Sequence, residues 1–446
     1  MLGTLYMRKL VSAEKAASFV KSGDWVEYGM GLGMPVAFDS ALAKRKGEIQ
    51  NVRVRGLMSA RPLAVVEEDP LQESFYYMSW HLSSQERRYA GEGRCEYIPM
   101  SYKNQPEIYR KCLDVDVACI AVAPMDKHGY FNFALTNSST MAIMEKAKTV
   151  VVEINEDLPR SMGGHEECIH IRDVDYIIEG GSFPLVELAS GLPSDVDTRI
   201  AEYIVGQMKD GSVIQLGIGG IANSVGLMIA DSDLKDLGMH TEMLVDAYLA
   251  IYKSGKLTNA SKYVDKHKGV WTFCMGSQEL YAWVADNPGL ASCPVNYTNS
   301  PEIMSRNDNL VTINCCIEAD LFGQVSSESA SIRQISGTGG QLDFVNGSFI
   351  SEGGKSFICM ASTFTDKTGG TKSRIVPALP QGEVVTAPRS QVHQLVTEWG
   401  CTMLAGCSLK DRTARIIELA HPDFRDELYK EAEKMGLLRR SQSKQF

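Results

Sequence analysis

The sequence lacks what would tie a chain to a polyanion, an oxidising compartment or a bilayer. Its 45 Lys and Arg are outnumbered by 55 Asp and Glu, a formal net charge of −10. There is thus no basic surplus for generic binding to nucleic acid or an anionic membrane, and any phosphate contact must be local. The opening MLGTLYMRKLVSAEKAA has neither the continuous apolar core nor the small-residue cleavage site of a secretory signal, so the expected location is the cytoplasm. The 11 cysteines include no CxxC pair and are expected as thiols of a reducing compartment, with Cys315 and Cys316 alternating across a strand. His165, Cys168 and His170 lie close together in GHEECIHIRD, but their spacing matches no standard zinc signature, and no metal is expected. The 18 uncharged residues from Val213 to Ala230 contain Gln215, Asn223, Ser224 and four glycines, a composition that suits a soluble strand, loop and helix better than a membrane span.

What is present is an ordinary globular composition, 44% hydrophobic and 22% charged, in a chain long enough for two or three domains. Its centre is Asp210 to Lys256. The apolar run Ser212 to Leu216 reads as a buried strand, and Gly217, Gly219 and Gly220 follow before a helical pattern begins at Asn223. Such a loop bares backbone amides at a helix N-terminus, where anions or a developing oxyanion are favoured. Farther on, His240-Thr241-Glu242-Met243 leads into a second helical pattern with Leu244, Tyr248 and Ile251 on one face and Gly255 at its end. Taken alone, Glu242 reads as a solvated charge at an element boundary.

The first half repeats this plan. After a helical stretch from Ser12 to Ser22, SGDWVEYGMG from Ser22 matches DGSVIQLGIG from Asp210, with Gly23, Gly29 and Gly31 each displaced by 188 residues onto Gly211, Gly217 and Gly219. The run Asp116 to Val122 with Asp126-Lys-His-Gly129 pairs with Val311 to Ile317 and Asp320-Leu-Phe-Gly323 at a displacement of 194. Two matches in one order at nearly one displacement imply two similar halves. Strand-like and helix-like runs alternate within each, so the expected class is α/β with mainly parallel sheets. The Pro- and small-residue-rich stretch Gly181 to Asp197 marks the expected boundary near Asp195, giving domains 1–195 and 196–446. Gly91 to Arg94 reads as a turn and Ala147 to Glu153 as a buried strand. Gly337-Thr-Gly-Gly340, by itself, reads as a tight turn before a strand. Ala420 to Leu428 opens a helix, and the polar tail Arg439 to Phe446 is expected to be disordered and to carry no chemistry.

In order along the chain stand QLGIGGI, HTEM, NSPE, GTGGQLDF, TAPRSQVHQLVTEWG and AHPDFRDEL. Together they resemble the acetyl-CoA hydrolase/transferase family, the acetate-type CoA-transferases. The resemblance covers essentially the whole chain. HTEMLVDAYLAIYKSGKLTN and GTGGQLDF look most like the butyryl-CoA:acetate CoA-transferases. It implies two related open α/β/α domains of the CoA-transferase type with the active site at their interface. It implies further that Glu242 is the catalytic glutamate and that Gly217, Ile218, Gly219, Gly220 and Ile221 lie along CoA. Asn299 and Gly340, with the amide at Ile218, match oxyanion-stabilising positions, and Ile317 matches a position near CoA, as does Gly340. Two departures stand out: Ala222 where many relatives have proline, and Trp399 where a tyrosine is common.

The implied chemistry is a ping-pong exchange of CoA between short-chain acids such as butyrate and acetate. It proceeds through an acyl-glutamyl anhydride and a glutamyl-CoA thioester, with CoA as substrate and covalent passenger and no tightly bound cofactor. Other short-chain acids such as 4-hydroxybutyrate, and thioester hydrolysis if water enters, are the near alternatives. A dinucleotide-dependent oxidoreductase is a distant one, because Ala222 replaces the third fingerprint glycine and no acidic residue clearly occupies the ribose position. A non-catalytic binding or assembly protein on the same fold is another. A symmetric homo-oligomer is the default expectation, with small-molecule partners only.

Overall fold

The computed structural model describes residues 2–188 and 191–439; part of the expected boundary segment (189–190) and the tail 440–446 lie outside the described residues. The chain packs into two units, Met1–Ala189 with Val270–Thr298, and Ser190–Gly269 with Asn299–Phe446. The excursion Val270–Thr298 is bound into the first unit by backbone bonds such as Cys274 N to Leu135 O (2.8 Å), Ser292 N to Met162 O (2.9 Å) and Val295 N to Ser138 O (2.9 Å).

The first unit is built on a seven-stranded sheet in the order Glu96–Tyr97, Phe75–Ser79, Val52–Gly56, Trp25–Tyr28, Val115–Val122, Ala147–Asn155, Tyr176–Gly181. Every neighbouring pair is parallel. Parallel strands are buried on both faces, which is why VACIAV within Val115–Val122 is apolar without alternation. Its two larger clusters lie around Val26, Phe38 and Tyr89 and around Ile120, Phe131 and Val152.

The second unit has a six-stranded sheet in the order Gly238–Met239, Val213–Leu216, Leu310–Cys315, Lys355–Cys359, Gln394–Thr397, Gly400–Met403. It is parallel except for the last strand, which closes a hairpin. Its largest core cluster includes Ile358, Leu395, Ile416 and Leu428.

The repeat is thus topological. Trp25–Tyr28 and Val213–Leu216 each lie between the next strand of their unit on one side and a later one, Val115–Val122 or Leu310–Cys315, on the other. The second motif agrees atom for atom. Asp126 Oδ1 accepts from the amides of His128 and Tyr130, and Asp320 Oδ1 accepts from those of Phe322 and Gln324. In both turns the glycine amide returns to the aspartate carbonyl, and the glycine has φ +90° in one and +82° in the other. Glycine adopts this conformation without steric cost.

Several local expectations shift. The first helical stretch contracts to Ala13–Ala17, capped by Ser12. The helix after the central loop begins at Gly220 instead of Asn223. Leu244 lies in the strand Met243–Leu244, and the following helix is Asp246–Lys253, because Val245 is still extended. A helix, Gln341–Ile350, follows Gly337 to Gly340 where the loop alone suggested a strand. Cys315 ends its strand and is exposed, while Cys316 lies beyond it and is partly buried. Among the described residues no helix is long and apolar enough to cross a membrane, and no cluster of three or more metal-binding side chains occurs.

Candidate active site

The site is assembled from the carboxyl end of the second unit's sheet. Val213–Leu216 runs out of strand partners where Gly238–Met239 stops pairing, since the register covers only Val213 and Ile214. Two side chains replace the missing neighbour. The Tyr248 hydroxyl accepts from the Leu216 amide (2.7 Å) and donates to the Ile214 carbonyl (3.2 Å), while Thr241 Oγ1 lies 3.2 Å from the Leu216 carbonyl and 3.0 Å from that of Met243. The strand end that launches the glycine loop is therefore fastened to the residue before Glu242. Below it, Lys262 is almost wholly buried and donates Nζ–H to the carbonyls of Met239 (2.9 Å) and Lys268 (2.6 Å).

Glu242 meets two residues that lie far from it in sequence. Asn299 Nδ2 donates to Glu242 Oε2 at 2.6 Å, and the Gly340 amide also donates to the carboxylate. A Cβ placed on Gly340 would collide with both Glu242 Oε2 and Asn299 Nδ2. Because φ there is −102°, this glycine is required by space and not by backbone conformation. Asn299 is fully buried, and its Oδ1 accepts no hydrogen bond from the described residues. It immediately precedes the helix Pro301–Met304, whose cap Ser300 accepts from the Ile303 amide.

Glu242 itself is partly open to solvent. Protein nevertheless surrounds the carboxyl group closely. Burial pushes its pKa up to about 7, the Asn299 hydrogen bond opposes this, nearby Asp343 adds to the rise, and the Gly340 amide opposes it again. Desolvation prevails because two neutral donors do not replace the water that a carboxylate loses. The result is a poorly solvated carboxylate near neutrality, held by two neutral donors and open to solvent in part, which is the condition of an activated nucleophile.

The sequence-selected loop residues divide by their surroundings. Positions where a Cβ would meet nothing are Gly217 and Gly219, the latter at φ +105°, and Ile218 between them is 47% exposed. This part of the loop is open. Gly220 is different: a Cβ there would strike the carboxylate of Asp197, so its smallness serves packing against the helix Asp195–Val205, and Ile221 is buried. Ile317 is half-buried, its amide bonded to the Ser326 carbonyl (2.8 Å) and its carbonyl to Arg374 Nη1 (3.0 Å), so the side chain is the part left to meet a ligand. Ala222 is buried in the helix Gly220–Asp231. Trp399 lies at the turn between the last two strands, where its Nε1 donates to Ser362 Oγ (3.1 Å), and Glu398 accepts from the Ser362 amide (2.8 Å). These bonds tie the segment to Ser362.

Sequence reasoning passed over Lys262, and it named Thr241 and Tyr248 only as members of the HTEM motif and of an apolar helix face, and Asp343 only within the quoted GTGGQLDF, without the contacts they make.

Residues 3–187 match the acetyl-CoA hydrolase/transferase N-terminal domain and residues 276–432 match the C-terminal domain of the same name. The chain is 50% identical to the probable butyrate:acetyl-CoA coenzyme A-transferase of Syntrophomonas wolfei, over 98% of this chain and 97% of that protein. It is 48% identical to the butyryl-CoA:acetate CoA-transferase of Anaerostipes caccae, over 98% of each. Among solved structures, RipA of Yersinia pestis superposes with a TM-score of 0.90 at 36% identity, covering 98% of this chain and 100% of that one.

Proposed function

The chain belongs to the acetyl-CoA hydrolase/transferase family, and from that premise we propose that it transfers CoA between butyryl-CoA and acetate through Glu242. The observation that carries the proposal is the constellation of a desolvated Glu242 carboxylate held on Oε2 by Asn299 and crowded by Gly340.

With Oε2 held by Asn299, Oε1 acts as the nucleophile. It adds to the thioester carbonyl of butyryl-CoA, and collapse of the tetrahedral adduct breaks the C–S bond, giving a butyryl-glutamyl anhydride and CoA thiolate. The thiolate adds to the glutamyl carbonyl carbon, and collapse releases butyrate and leaves the glutamyl-CoA thioester. Acetate then enters and the same two steps run in reverse to give acetyl-CoA. In the thiolate addition, negative charge develops on the glutamyl carbonyl oxygen, the atom that Asn299 already holds, with the Gly340 amide beside it. Donors fixed before the reaction need no reorganisation, and each is worth several kcal/mol, about 3 by order of magnitude. The amide of Ile218, on the open part of the glycine loop, suits the other oxyanion, on the acyl carbonyl. The open glycines Gly217 and Gly219 allow the pantetheine arm to approach the backbone closely.

Incubation with butyryl-CoA and no acceptor tests this reading. It should leave CoA on the peptide containing Glu242, in a form that borohydride reduces to the alcohol, and exchange kinetics should be ping-pong. Glu242→Ala should abolish both labelling and exchange. A label on a cysteine, or full exchange by Glu242→Ala, would refute the mechanism.

A further inference from the structure

The amide of Gly340 is only as well placed as the loop that carries it. Residues 336–340 precede the helix Gln341–Ile350, and three of the five are glycines that bring no side chain to hold the segment. Beside the loop lies Glu328, buried to 3% exposure. All three of its acceptor oxygens are engaged. Its carbonyl accepts from the amides of Ile335 (2.8 Å) and Ser336 (3.1 Å). Oε2 accepts from Thr338 Oγ1 (3.1 Å) and Gln334 Nε2 (3.4 Å), and Oε1 accepts from Thr386 Oγ1 (3.0 Å).

We propose that Glu328 is a positioning residue for CoA transfer: through the Thr338 hydroxyl it fixes the 336–340 loop so that the Gly340 N–H points at Glu242. The inference rests on the reading of Glu242 as the CoA carrier. A carboxylate suits the task because it only accepts, so both threonine hydroxyls must donate and their rotors are set; an amide would let either hydroxyl reverse. Burying a carboxylate among neutral donors is costly for folding. The cost is matched by what depends on the loop, since Gly340 lies within collision distance of Glu242 and Asn299, and a displacement of about 1 Å at such a point lowers rate by roughly a hundredfold.

The test measures thioester formation on Glu242 from butyryl-CoA between pH 5 and 9, with kcat and KM for exchange, in wild type, Glu328→Ala, Glu328→Gln, Thr338→Val and Thr338→Ser. Glu328→Ala and Thr338→Val should lower kcat by about tenfold to a hundredfold while KM for butyryl-CoA stays within about twofold. They should also move the acid limb of labelling upward in pH, because the Gly340 bond lowers the Glu242 pKa against burial and Asp343, which raise it. Loss of folded protein alone would reduce amplitude and leave the limb in place. Thr338→Ser should recover both rate and limb, Glu328→Gln should fall between wild type and Glu328→Ala, and the Glu328→Ala/Thr338→Val double variant should be no worse than either single one. A wild-type limb and kcat in folded Glu328→Ala or in Thr338→Val overturns the proposal. Should Glu328→Ala fail to fold, the Thr338 pair decides. If wild type itself never labels on Glu242, the underlying reading fails, which is a different result from an unshifted limb.

Discussion

Each unit sends a strand into a glycine-rich loop and a helix, and each sets a glutamate against main-chain amides, but the two glutamates are placed to opposite ends. In the first unit Glu153, fully buried, accepts from the amides of Val36 and Ala37 on Oε1 and of Phe38 on Oε2, all at 2.8–2.9 Å. The helix Val36–Ala43 is thereby closed by the protein's own carboxylate. In the second unit the helix Gly220–Asp231 starts from Gly219 with no side-chain cap, and Glu242 is turned to Asn299 and Gly340. A helix end that holds its own anion is structural; one left uncapped after an open loop can receive a ligand's. Duplication supplied the frame, and the placement of one carboxylate separates scaffold from site.

The contrast breaks most sharply at Gly340. Gly340→Ala should lower exchange by at least about a hundredfold, in line with losing an oxyanion donor and displacing the nucleophile, while far-ultraviolet circular dichroism stays that of the wild type. Activity within a few-fold of wild type would show that the site can open to admit a Cβ, against the close contact described.

The same substitution at the two glutamates should have opposite signs in stability. Glu153→Gln places an NH2 where a second acceptor is needed, and should lower the unfolding free energy obtained from urea titration by an amount on the order of 1–2 kcal/mol at pH 7. Burial raises the folded pKa of Glu153 above its ordinary value, so wild type itself loses part of this group's stabilisation as pH rises, and the gap should be widest in acid. Glu242→Gln keeps an acceptor on the side of Asn299 and removes a buried charge. Because the Glu242 pKa is raised to about 7, the group's stabilising contribution is complete below about pH 4.5 and lost as pH rises through 7. The variant should therefore gain on the order of 2 kcal/mol at pH 8, discounted for its partial exposure, and nothing near pH 4. Equal signs would erase the distinction between the two groups.

A smaller effect separates the loops. Gly219, at φ +105° and ψ −179°, occupies a region essentially restricted to glycine. Gly219→Ala should shift the loop and reduce labelling by roughly tenfold. Gly31, at φ +51°, lies in the left-handed region that alanine enters for about 1 kcal/mol. Gly31→Ala should appear in the melting midpoint and leave the acid limb of labelling where it is.

The parts legible in sequence were those carried by local pattern. Strand runs, the glycine loop and the two Asp-to-Gly turns were visible because each needs a fixed residue type within a few positions. The trio proposed as catalytic emerged only through family resemblance, since Glu242, Asn299 and Gly340 lie 57 and 41 residues apart along the chain. Glu153 was readable as a strand residue and not as a cap, because its partners precede it by more than a hundred positions. Gly220 was grouped with its open neighbours for the same reason: Asp197, which makes its smallness necessary, lies on another helix. Gly337 to Gly340 misled because a glycine turn fits a strand or a helix equally well, and the packing of Phe344 with Val213, Met304 and Leu310 favours the helix.

Lys262 has a consequence for an enzyme bathed in thioesters. Acyl-CoA acylates accessible amines without catalysis, so a lysine near the site that stores such compounds is exposed to slow chemical damage by the substrate. The amine that anchors Met239, three residues before Glu242, is buried and donates to two carbonyls. An amine so enclosed cannot reach a thioester carbonyl. The strand that leads to Glu242 is thereby shielded from acylation by the substrate, and ageing in acyl-CoA should modify the exposed lysines first.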